Sequence, residues 1–272
     1  MVKHSKTDKV FLFLNNFLMG VFLLIMLYPL WIVIVSSFSE PSAVAAGKVW
    51  LYPIGFSLQG YQAVFEYKWI MNGMGVSLIL LIVGTALCMA VTVLAAYPLS
   101  RKSLVGRRVI LFIFTFTMFF GGGMVPFFIL IKDLNLINSL WSLILPGAIN
   151  VWNIILMRTY FQTNIPEEIR EASQIDGCDD FRFLLQISVP LLKPIIAVLA
   201  LFTAVSFWNS YFNALIFIND TNKFPLQLVL RDILIINQSD PTTIGQNIEG
   251  FKNQQALIES LKYSSIVVAS AP

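Results

Sequence analysis

Apolar residues fall into five long runs without Asp, Glu, Lys or Arg, and these runs cover residues 10–39, 69–100, 109–131, 134–157 and 194–219. Each run is longer than the roughly 20 residues that an α-helix needs to cross the hydrocarbon core of a bilayer. A single charged residue at the centre of such a helix costs about 2.5–3.5 kcal/mol on insertion scales. The five uncharged runs therefore predict five membrane-spanning helices.

Helix-breaking residues interrupt several of these runs. Pro29 and Pro98 lie inside the first and second runs, and Gly121, Gly122 and Gly123 lie inside the third. Because proline removes a backbone donor and glycine weakens a helix, we expect kinks or breaks at these places. The backbone groups that a break releases must then face protein or a cavity rather than lipid.

A further apolar run, 263–272, stands at the end of the sequence and supplies only about half the length of a span. We expect it to be the start of a sixth span that is truncated in this chain, and a re-entrant helix is the alternative. The expected fold class is therefore all-α: a polytopic transmembrane helical bundle with six spans in the complete protein.

Composition agrees with this pattern. Hydrophobic residues make up 57% of the 272 residues and charged residues 12%, whereas soluble domains average about 45–50% and about 25%. A soluble globular enzyme is therefore excluded. The formal net charge of +3 is spread along the chain and forms no basic stripe for nucleic acid. Two cysteines and one histidine are too few for a zinc site or a disulfide framework.

Basic residues predict the orientation of the chain. The first connection, 40–68, holds only Lys48 and Lys68, whereas the N-terminus and the second connection hold Lys3, Lys6, Lys9, Arg101, Lys102, Arg107 and Arg108. The positive-inside rule then places the N-terminus in the cytoplasm, and the loop 158–193 with it. The segment 220–262 is expected to be external, with a short surface helix near 226–236.

The cytoplasmic loop begins with a predicted helix. Pro166 in the first turn, the acidic residues Glu167 and Glu168, and Gly177 as a terminator predict about three helical turns.

A second short helix is predicted directly after it. Asp179 or Asp180 is expected to cap this helix, and Pro190 to end it. Two helices joined in this way form an elbow that projects into the cytoplasm. The alternative is a solvated amphipathic loop that covers the ends of the spans.

Residue spacing in this loop carries a family signature. Residues 171–190 follow the pattern EAS-x3-G-x9-I-x-V-P. This pattern resembles the EAA signature, EAA-x3-G-x9-I-x-L-P, of the binding-protein-dependent ABC importer permeases. Ser173 stands in place of the second Ala, and Val189 in place of Leu.

Other segments extend the resemblance from about Trp69 to the end of the chain. The segments 120–126, 207–209, 224–227 and 261–263 look like the carbohydrate branch of these permeases, close to the maltose-type and oligosaccharide members. The first span lies outside the shared core. The chain is therefore expected to divide into two parts. Residues 1–68 hold the N-terminal cytoplasmic segment, the first span and an external loop. Residues 69–272 form the permease core domain, which includes the coupling loop 158–193. In the family a complete sixth helix and a short cytoplasmic tail follow, and we expect this chain to lack both.

The resemblance implies a transmembrane permease subunit of an ATP-driven importer in the plasma (inner) membrane of a prokaryote. The imported substrate is expected to be a saccharide and, more narrowly, an oligosaccharide. It implies a second homologous permease subunit, two ATPase subunits and an external solute-binding (lipo)protein as partners. Coupling to the ATPase subunits through the loop 166–190 is implied for Glu171, Ala172, Ser173, Asp176, Gly177, Ile187 and Pro190.

ATP hydrolysis is expected in the partner subunits. The chain has no G-x-x-x-x-G-K-[ST] loop, because its only Gly-Lys pair, Gly47-Lys48, is followed by Val49. The chain is therefore expected to be no enzyme and to hold no cofactor or metal, with ATP and Mg bound by the ATPase subunits. The first alternative is a secondary carrier or channel that works without ATPases. A membrane scaffold is a weaker alternative. No charged residue lies inside the five runs, which weighs against a proton-coupled carrier.

Polar and aromatic residues are dense in the fifth run. If this run is one helix, Trp208, Asn209, Tyr211 and Asn213 bring aromatic rings beside amides, and Asn153 adds an amide from the fourth run. Sugar sites combine aromatic faces with amides in this way. These residues are candidates for the substrate path. Hydrogen bonding between helices, with Trp and Tyr at the membrane interface, is an equal alternative.

Overall fold

The computed structural model describes the backbone of residues 6–239 and 248–270, and the side chains of residues 8–233 and 259–270. Helices dominate these residues, and the β pairing among them is one isolated antiparallel bridge between Ser39 and Phe56. The fold is all-α, as predicted. A π-helical turn, Phe183–Ser188, joins α10 to α11. In chain order the helices are α1 (Lys6–Ser37), α2 (Pro41–Ala45), α3 (Gln59–Glu66), α4 (Lys68–Ser100), α5 (Arg107–Phe119), α6 (Met124–Asp133), α7 (Trp141–Ala148), α8 (Val151–Asn164), α9 (Glu167–Ile175), α10 (Asp180–Arg182), α11 (Val189–Leu191), α12 (Lys193–Trp208), α13 (Phe212–Phe217), α14 (Leu226–Ser239) and α15 (Ile248–Ser270).

Two of these helices, α1 and α4, are long and apolar enough to cross a membrane. Two further pairs pass the same criterion as bent units: α5 with α6, at 114°, and Asp180–Leu191 with α12, at 81°. The described residues therefore hold two helices that are each long and apolar enough to be a span, or up to four spans if each bent pair is one span. The first two predicted spans are confirmed as long helices, and the total of six stays a prediction.

Glycine and proline act differently on these helices. The chain breaks at Gly121–Gly123, as predicted, and Gly123 has a φ of +82°, a value that residues with a Cβ rarely adopt. By contrast, α1 continues through Pro29 and α4 continues through Pro98. Neither proline ends its helix.

The fourth and fifth predicted spans are each built from two short helices, so the expectation of one continuous helix is wrong for both. In the fourth, α7 ends at Ala148, and the Asn150 side chain accepts a hydrogen bond from the Asn153 backbone N–H at 3.1 Å. In the fifth, α12 ends at Trp208, and Asn209 Nδ2 donates to the Val205 carbonyl at 2.9 Å. Asparagine side chains thus cap helix ends at both breaks, Asn150 at the start of α8 and Asn209 at the end of α12.

The chain forms two compact units, Met1–Met71 with Leu230–Pro272, and Asn72–Val229. In the first unit, α15 packs against α1, α2 and α3. A Cβ at Gly60 would collide with the hydroxyl groups of Ser260 and Ser264, so glycine permits the close approach of α3 to α15. The predicted division into residues 1–68 and a permease core domain, 69–272, rests on the family resemblance and stays a prediction. The helix α15 begins well before the predicted run 263–272.

The second unit holds two hydrophobic clusters. One buries Cys88, Met157 and Leu184, and the other buries Leu80 and Phe217. The first cluster ties α4 and α8 to the elbow that follows, and the second joins α4 to α7 and α13. Both candidate sites described below lie within this unit.

Candidate coupling elbow and substrate cavity

The predicted cytoplasmic helix is present as α9, from Glu167 to Ile175, and it follows Pro166 directly. Its end has the geometry of a Schellman motif, in which two backbone N–H groups beyond the helix bond to carbonyls of its last turn. Cys178 N donates to the Ser173 carbonyl at 2.9 Å, and Gly177 N donates to the Gln174 carbonyl at 3.0 Å. Gly177 has a φ of +78°, which only glycine adopts at little cost. The prediction of Gly177 as the helix terminator is confirmed.

The second arm of the elbow is the helical segment Asp180–Leu191. Asp179 caps it, because its carboxylate accepts a hydrogen bond from the Arg182 backbone N–H at 2.7 Å. The prediction that Pro190 ends this arm is wrong. Pro190 lies within α11, and the chain bends by 81° only after Leu191. The wide π-helical turn before Pro190 replaces the regular ladder that a proline ring would disrupt. We call α9 and Asp180–Leu191 together the elbow.

The candidate coupling residues differ in their exposure to solvent. The exposed ones are Glu171, Ala172, Asp176, Gly177 and Pro190. Ser173 is buried and its hydroxyl donates to the Arg170 carbonyl at 2.7 Å, and Ile187 is half-buried. The two faces of α9 therefore differ: one is open to a partner, and the other rests on the core.

An ion pair that the sequence did not reveal ties the elbow to α4. Arg101 Nη2 lies 2.7 Å from Asp180 Oδ1, and the Arg101 guanidinium stands 4.4 Å from the centre of the Tyr97 ring. Burial lowers the pKa of Arg101, and the nearby Asp180 carboxylate opposes this shift. Sequence reasoning used Arg101 only as a signal of orientation, because Asp180 lies far from it along the chain.

The end of α4 is also held by side chains from neighbouring helices. Arg158 Nε donates to the Leu99 carbonyl at 3.0 Å, and Gln162 Nε2 donates to the Ser100 carbonyl at 2.9 Å. The last carbonyls of a helix lack partners within the helix, so these bonds satisfy them. They fix the end of α4 to α8, from which the elbow departs.

A cavity of about 570 Å³, which we call the polar cavity, lies between α7, α8 and α12. Its wall combines aromatic rings with amide and hydroxyl groups and contains no charged residue. Such a wall can bind the hydroxyl groups of a ligand. The lining residues are Leu143, Pro146, Gly147, Ile149, Asn150, Trp152, Asn153, Leu156, Leu199, Phe202, Thr203, Ser206, Phe207, Ser210 and Asn213.

Two of the candidate path residues, Asn153 and Asn213, line the polar cavity. The other three do not: Trp208 is buried elsewhere, and Asn209 and Tyr211 are exposed. The prediction that all four residues of the fifth run share one helix face is wrong, because α12 ends at Trp208 and α13 begins only at Phe212. The part that Trp208, Asn209 and Tyr211 have in the substrate path stays a prediction.

Both alternatives for these polar groups are represented in the cavity wall. Asn153 Nδ2 donates to Thr203 Oγ1 at 3.1 Å, which is a bond between helices. In the described part of the chain, the side chains of Ser206, Ser210 and Asn213 have no hydrogen-bond partner. Those three groups are free to bind a ligand.

The aromatic ring of Phe207 forms one wall of the polar cavity and fits between two glycines. A Cβ at Gly84 would lie 2.6 Å from Phe207 Cζ, and a Cβ at Gly147 would lie 2.7 Å from the same atom. Such distances are too short for any side chain. We call this arrangement the Phe207 wedge. The sequence offered no signal for it, since three distant segments have to meet to form it.

A family model supplies the decisive comparison. Residues 89–246 match the family described as "Binding-protein-dependent transport system inner membrane component". The chain belongs to this family. It is therefore an inner-membrane component of a transport system that depends on a binding protein, as the elbow signature predicted. The family favours this interpretation over a carrier or channel that works without ATPases.

Curated relatives agree with the assignment. The chain is 39% identical over 251 residues to the polygalacturonan/rhamnogalacturonan transport system permease protein YtcP of Bacillus subtilis, covering 92% of this chain and 86% of that protein. It is 36% identical over 269 residues to protein LplC of the same organism, covering 99% of this chain and 90% of that protein.

A solved structure shows the same fold. It is the crystal structure of a bacterial ABC transporter involved in the import of the acidic polysaccharide alginate. One of its chains superposes with a TM-score of 0.90 at 32% sequence identity, covering 100% of this chain and 95% of that chain. The fold class predicted from the sequence, an ABC importer permease, is confirmed.

Proposed function

We propose that this permease imports an oligosaccharide together with a second homologous permease, two ATPase subunits that bind ATP and Mg, and an external solute-binding (lipo)protein. The elbow is the observation that carries this proposal. It presents an exposed helix with a rigid, glycine-terminated end, and its inner face is fixed to the core. A helix of this kind can transmit the movement of an ATPase subunit without bending.

Coupling through the elbow assigns distinct tasks to its residues. Glu171, Ala172 and Asp176 are exposed and available to an ATPase groove, whereas Ser173 is buried and its hydroxyl bonds to the Arg170 carbonyl within α9. The pair Arg101–Asp180 links the second arm to α4. A displacement of α9 is thereby passed to α4. The central part of α4 contributes Gly84 to the Phe207 wedge.

The polar cavity is the proposed site of the sugar in this subunit. An aromatic ring can cover the C–H face of a pyranose while amides and hydroxyls bind its hydroxyl groups. Phe207, Asn213 and Ser206 supply these groups. The saccharide class is further supported by the names of the relatives, which concern polygalacturonan/rhamnogalacturonan and alginate. The identity of the cargo is to be tested on a panel of acidic and neutral oligosaccharides.

The orientation of the chain is proposed from its basic residues. The connection 101–108 carries Arg101, Lys102, Arg107 and Arg108, and the first three of these line one cavity with Arg170 of the elbow. The positive-inside rule favours the cytoplasmic side for such a group. The proposed orientation has the N-terminus in the cytoplasm and the elbow on the same side, where ATPase subunits would bind.

Replacing Asn213 by alanine is expected to lower sugar uptake about tenfold, because the free amide in the cavity wall then no longer binds a sugar hydroxyl. Uptake of labelled oligosaccharide by cells that express the complete importer measures the effect. Asn219→Ala is the matched control, since Asn219 is exposed and lies outside the cavity. Equal uptake by the Asn213 variant and the wild type would contradict the proposed path.

The purified chain is expected to hydrolyse no ATP, and proteoliposomes that contain it alone are expected to accumulate no sugar. The sequence lacks a phosphate-binding loop, and its apolar runs lack the ionisable groups that secondary carriers use. Phosphate release and sugar accumulation under an imposed proton gradient measure the two expectations. Uphill uptake by the chain alone would identify a carrier instead.

A further inference from the structure

A second cavity, of about 430 Å³, lies between the inner face of the elbow and the ends of α4 and α8. We call it the basic cavity. Four cationic side chains and one carboxylate line it, namely Arg101, Lys102, Arg107, Arg170 and Glu167. Nothing in the coupling role of the elbow requires a hollow with this charge.

Acidic residues compensate only part of this positive charge. Asp180 pairs with Arg101 at 2.7 Å, and Glu167 Oε1 lies 3.5 Å from Arg170 Nε. Lys102 and Arg107 have no ion pair among the described residues. Burial lowers the pKa of Arg101, the Asp180 carboxylate opposes this shift, and the positive charge of Arg170 adds to it.

Two polar atoms of the cavity wall also lack hydrogen-bond partners. Ser188 is fully buried, and its Oγ has no partner in the described part of the chain. Arg170 Nε is buried as well, and its position near Glu167 does not give a hydrogen bond. Buried polar groups are almost always satisfied. The Ser188 hydroxyl, which has no hydrogen-bond partner, and the Arg170 Nε–H, which has only the ion pair with Glu167, therefore point to an acceptor in the basic cavity.

We propose that the basic cavity binds the phosphate group of an anionic ligand, which joins the elbow to the core. A phosphate offers several acceptor oxygens, and arginine binds them with two parallel N–H donors. The hydroxyl of Ser188, the Nε–H of Arg170 and the guanidinium of Arg107 then each donate to it. A ligand held by Arg170 of α9 and Arg107 of α5 fixes the position of the elbow.

Two sources can supply this chemistry: an anionic phospholipid headgroup or a soluble phosphate. Arg107 is the first residue of the apolar helix α5, a position at which headgroups meet a span. The test therefore uses both probes on the purified full chain with the subunits that copurify with it. One sample is placed in phosphatidylcholine nanodiscs that contain some phosphatidylglycerol, and native mass spectrometry measures the phosphatidylglycerol that stays bound to the protein. The other, in phosphatidylcholine alone, reports binding of radiolabelled inorganic phosphate by equilibrium dialysis.

Saturable binding of one probe is expected, and Arg107→Gln and Arg170→Gln are each expected to weaken it about tenfold or more. Arg108→Gln is the matched control, because Arg108 is adjacent, exposed and outside the cavity wall, and its variant is expected to bind within about twofold of the wild type. Ser188→Ala removes one donor without changing the charge and is expected to weaken binding by a smaller factor.

Each outcome decides the proposal. Retention of phosphatidylglycerol with this pattern of variants assigns the site to a lipid headgroup, and binding of inorganic phosphate with the same pattern assigns it to a soluble ligand. Failure of both probes to bind saturably overturns the proposal, and so does equal weakening by Arg108→Gln, which would indicate diffuse surface charge. Arg107 also donates to the Arg101 carbonyl at 3.2 Å, so its replacement could disturb the fold. Thermal unfolding of each variant checks for this. If Arg107→Gln is unstable, Arg170→Gln still decides the test. Uptake is not measured, and the result is therefore independent of the cargo.

Discussion

Replacing Gly177 by valine is expected to lower sugar uptake about tenfold or more while the chain still inserts into the membrane. The φ of +78° at Gly177 closes α9 through the two bonds of its Schellman motif. A residue with a Cβ adopts this conformation at a cost of about 1–2 kcal/mol, and each 1.4 kcal/mol shifts an equilibrium tenfold. The elbow of the variant would therefore lose its defined end and fit poorly into an ATPase groove. Uptake by cells and copurification of the ATPase subunits measure the effect.

Gly47→Val is the matched control for this prediction. Gly47 has a φ of +64°, and no atom lies within 4 Å of a Cβ built there, so the substitution imposes similar backbone strain outside the elbow. Uptake by this variant is expected to stay within about twofold of the wild type. Equal losses in the two variants would show that strain anywhere in the chain disturbs transport. Normal uptake and normal assembly in Gly177→Val would remove the elbow from the coupling path.

The second large effect is expected for Gly84→Ala at the Phe207 wedge. A methyl group at Gly84 would lie 2.6 Å from Phe207 Cζ, so the ring or the helix has to move. Overpacking of this kind typically costs about 1–3 kcal/mol. The free energy of unfolding of the purified chain should therefore fall, and uptake should fall with it because Phe207 forms a wall of the polar cavity. Chemical denaturation followed by tryptophan fluorescence measures the first effect.

Two further variants separate the collision from a general effect of alanine. Gly75→Ala changes the same residue type in the same helix, and no atom lies within 4 Å of a Cβ at Gly75. That variant is expected to be as stable as the wild type or more stable, since alanine favours a helix over glycine by up to about 1 kcal/mol. Combining Gly84→Ala with Phe207→Leu is expected to cost less than the sum of the two single changes. Strict additivity would show that the two residues do not collide.

The sequence by itself determined the features that depend on local properties of the chain. Hydropathy located α1 and α4, since burial in a membrane requires a long uncharged run wherever the rest of the chain lies. The spacing of residues 171–190 identified the family, and Gly177 marked the end of α9, because a left-handed backbone conformation is a property of single residues. A residue's own chemistry and its neighbours along the chain are sufficient for such predictions.

The tertiary structure alone decided which distant groups meet. The sequence predicts one helix that carries Trp208, Tyr211 and Asn213. Only the fold shows that α12 ends at Trp208 and that Tyr211 lies outside the polar cavity. The Phe207 wedge and the pair Arg101–Asp180 likewise join segments that lie far apart in sequence. The physical reason is that hydrogen bonds, ion pairs and close packing depend on distances of a few ångströms, and the order of residues fixes no such distance between separate helices.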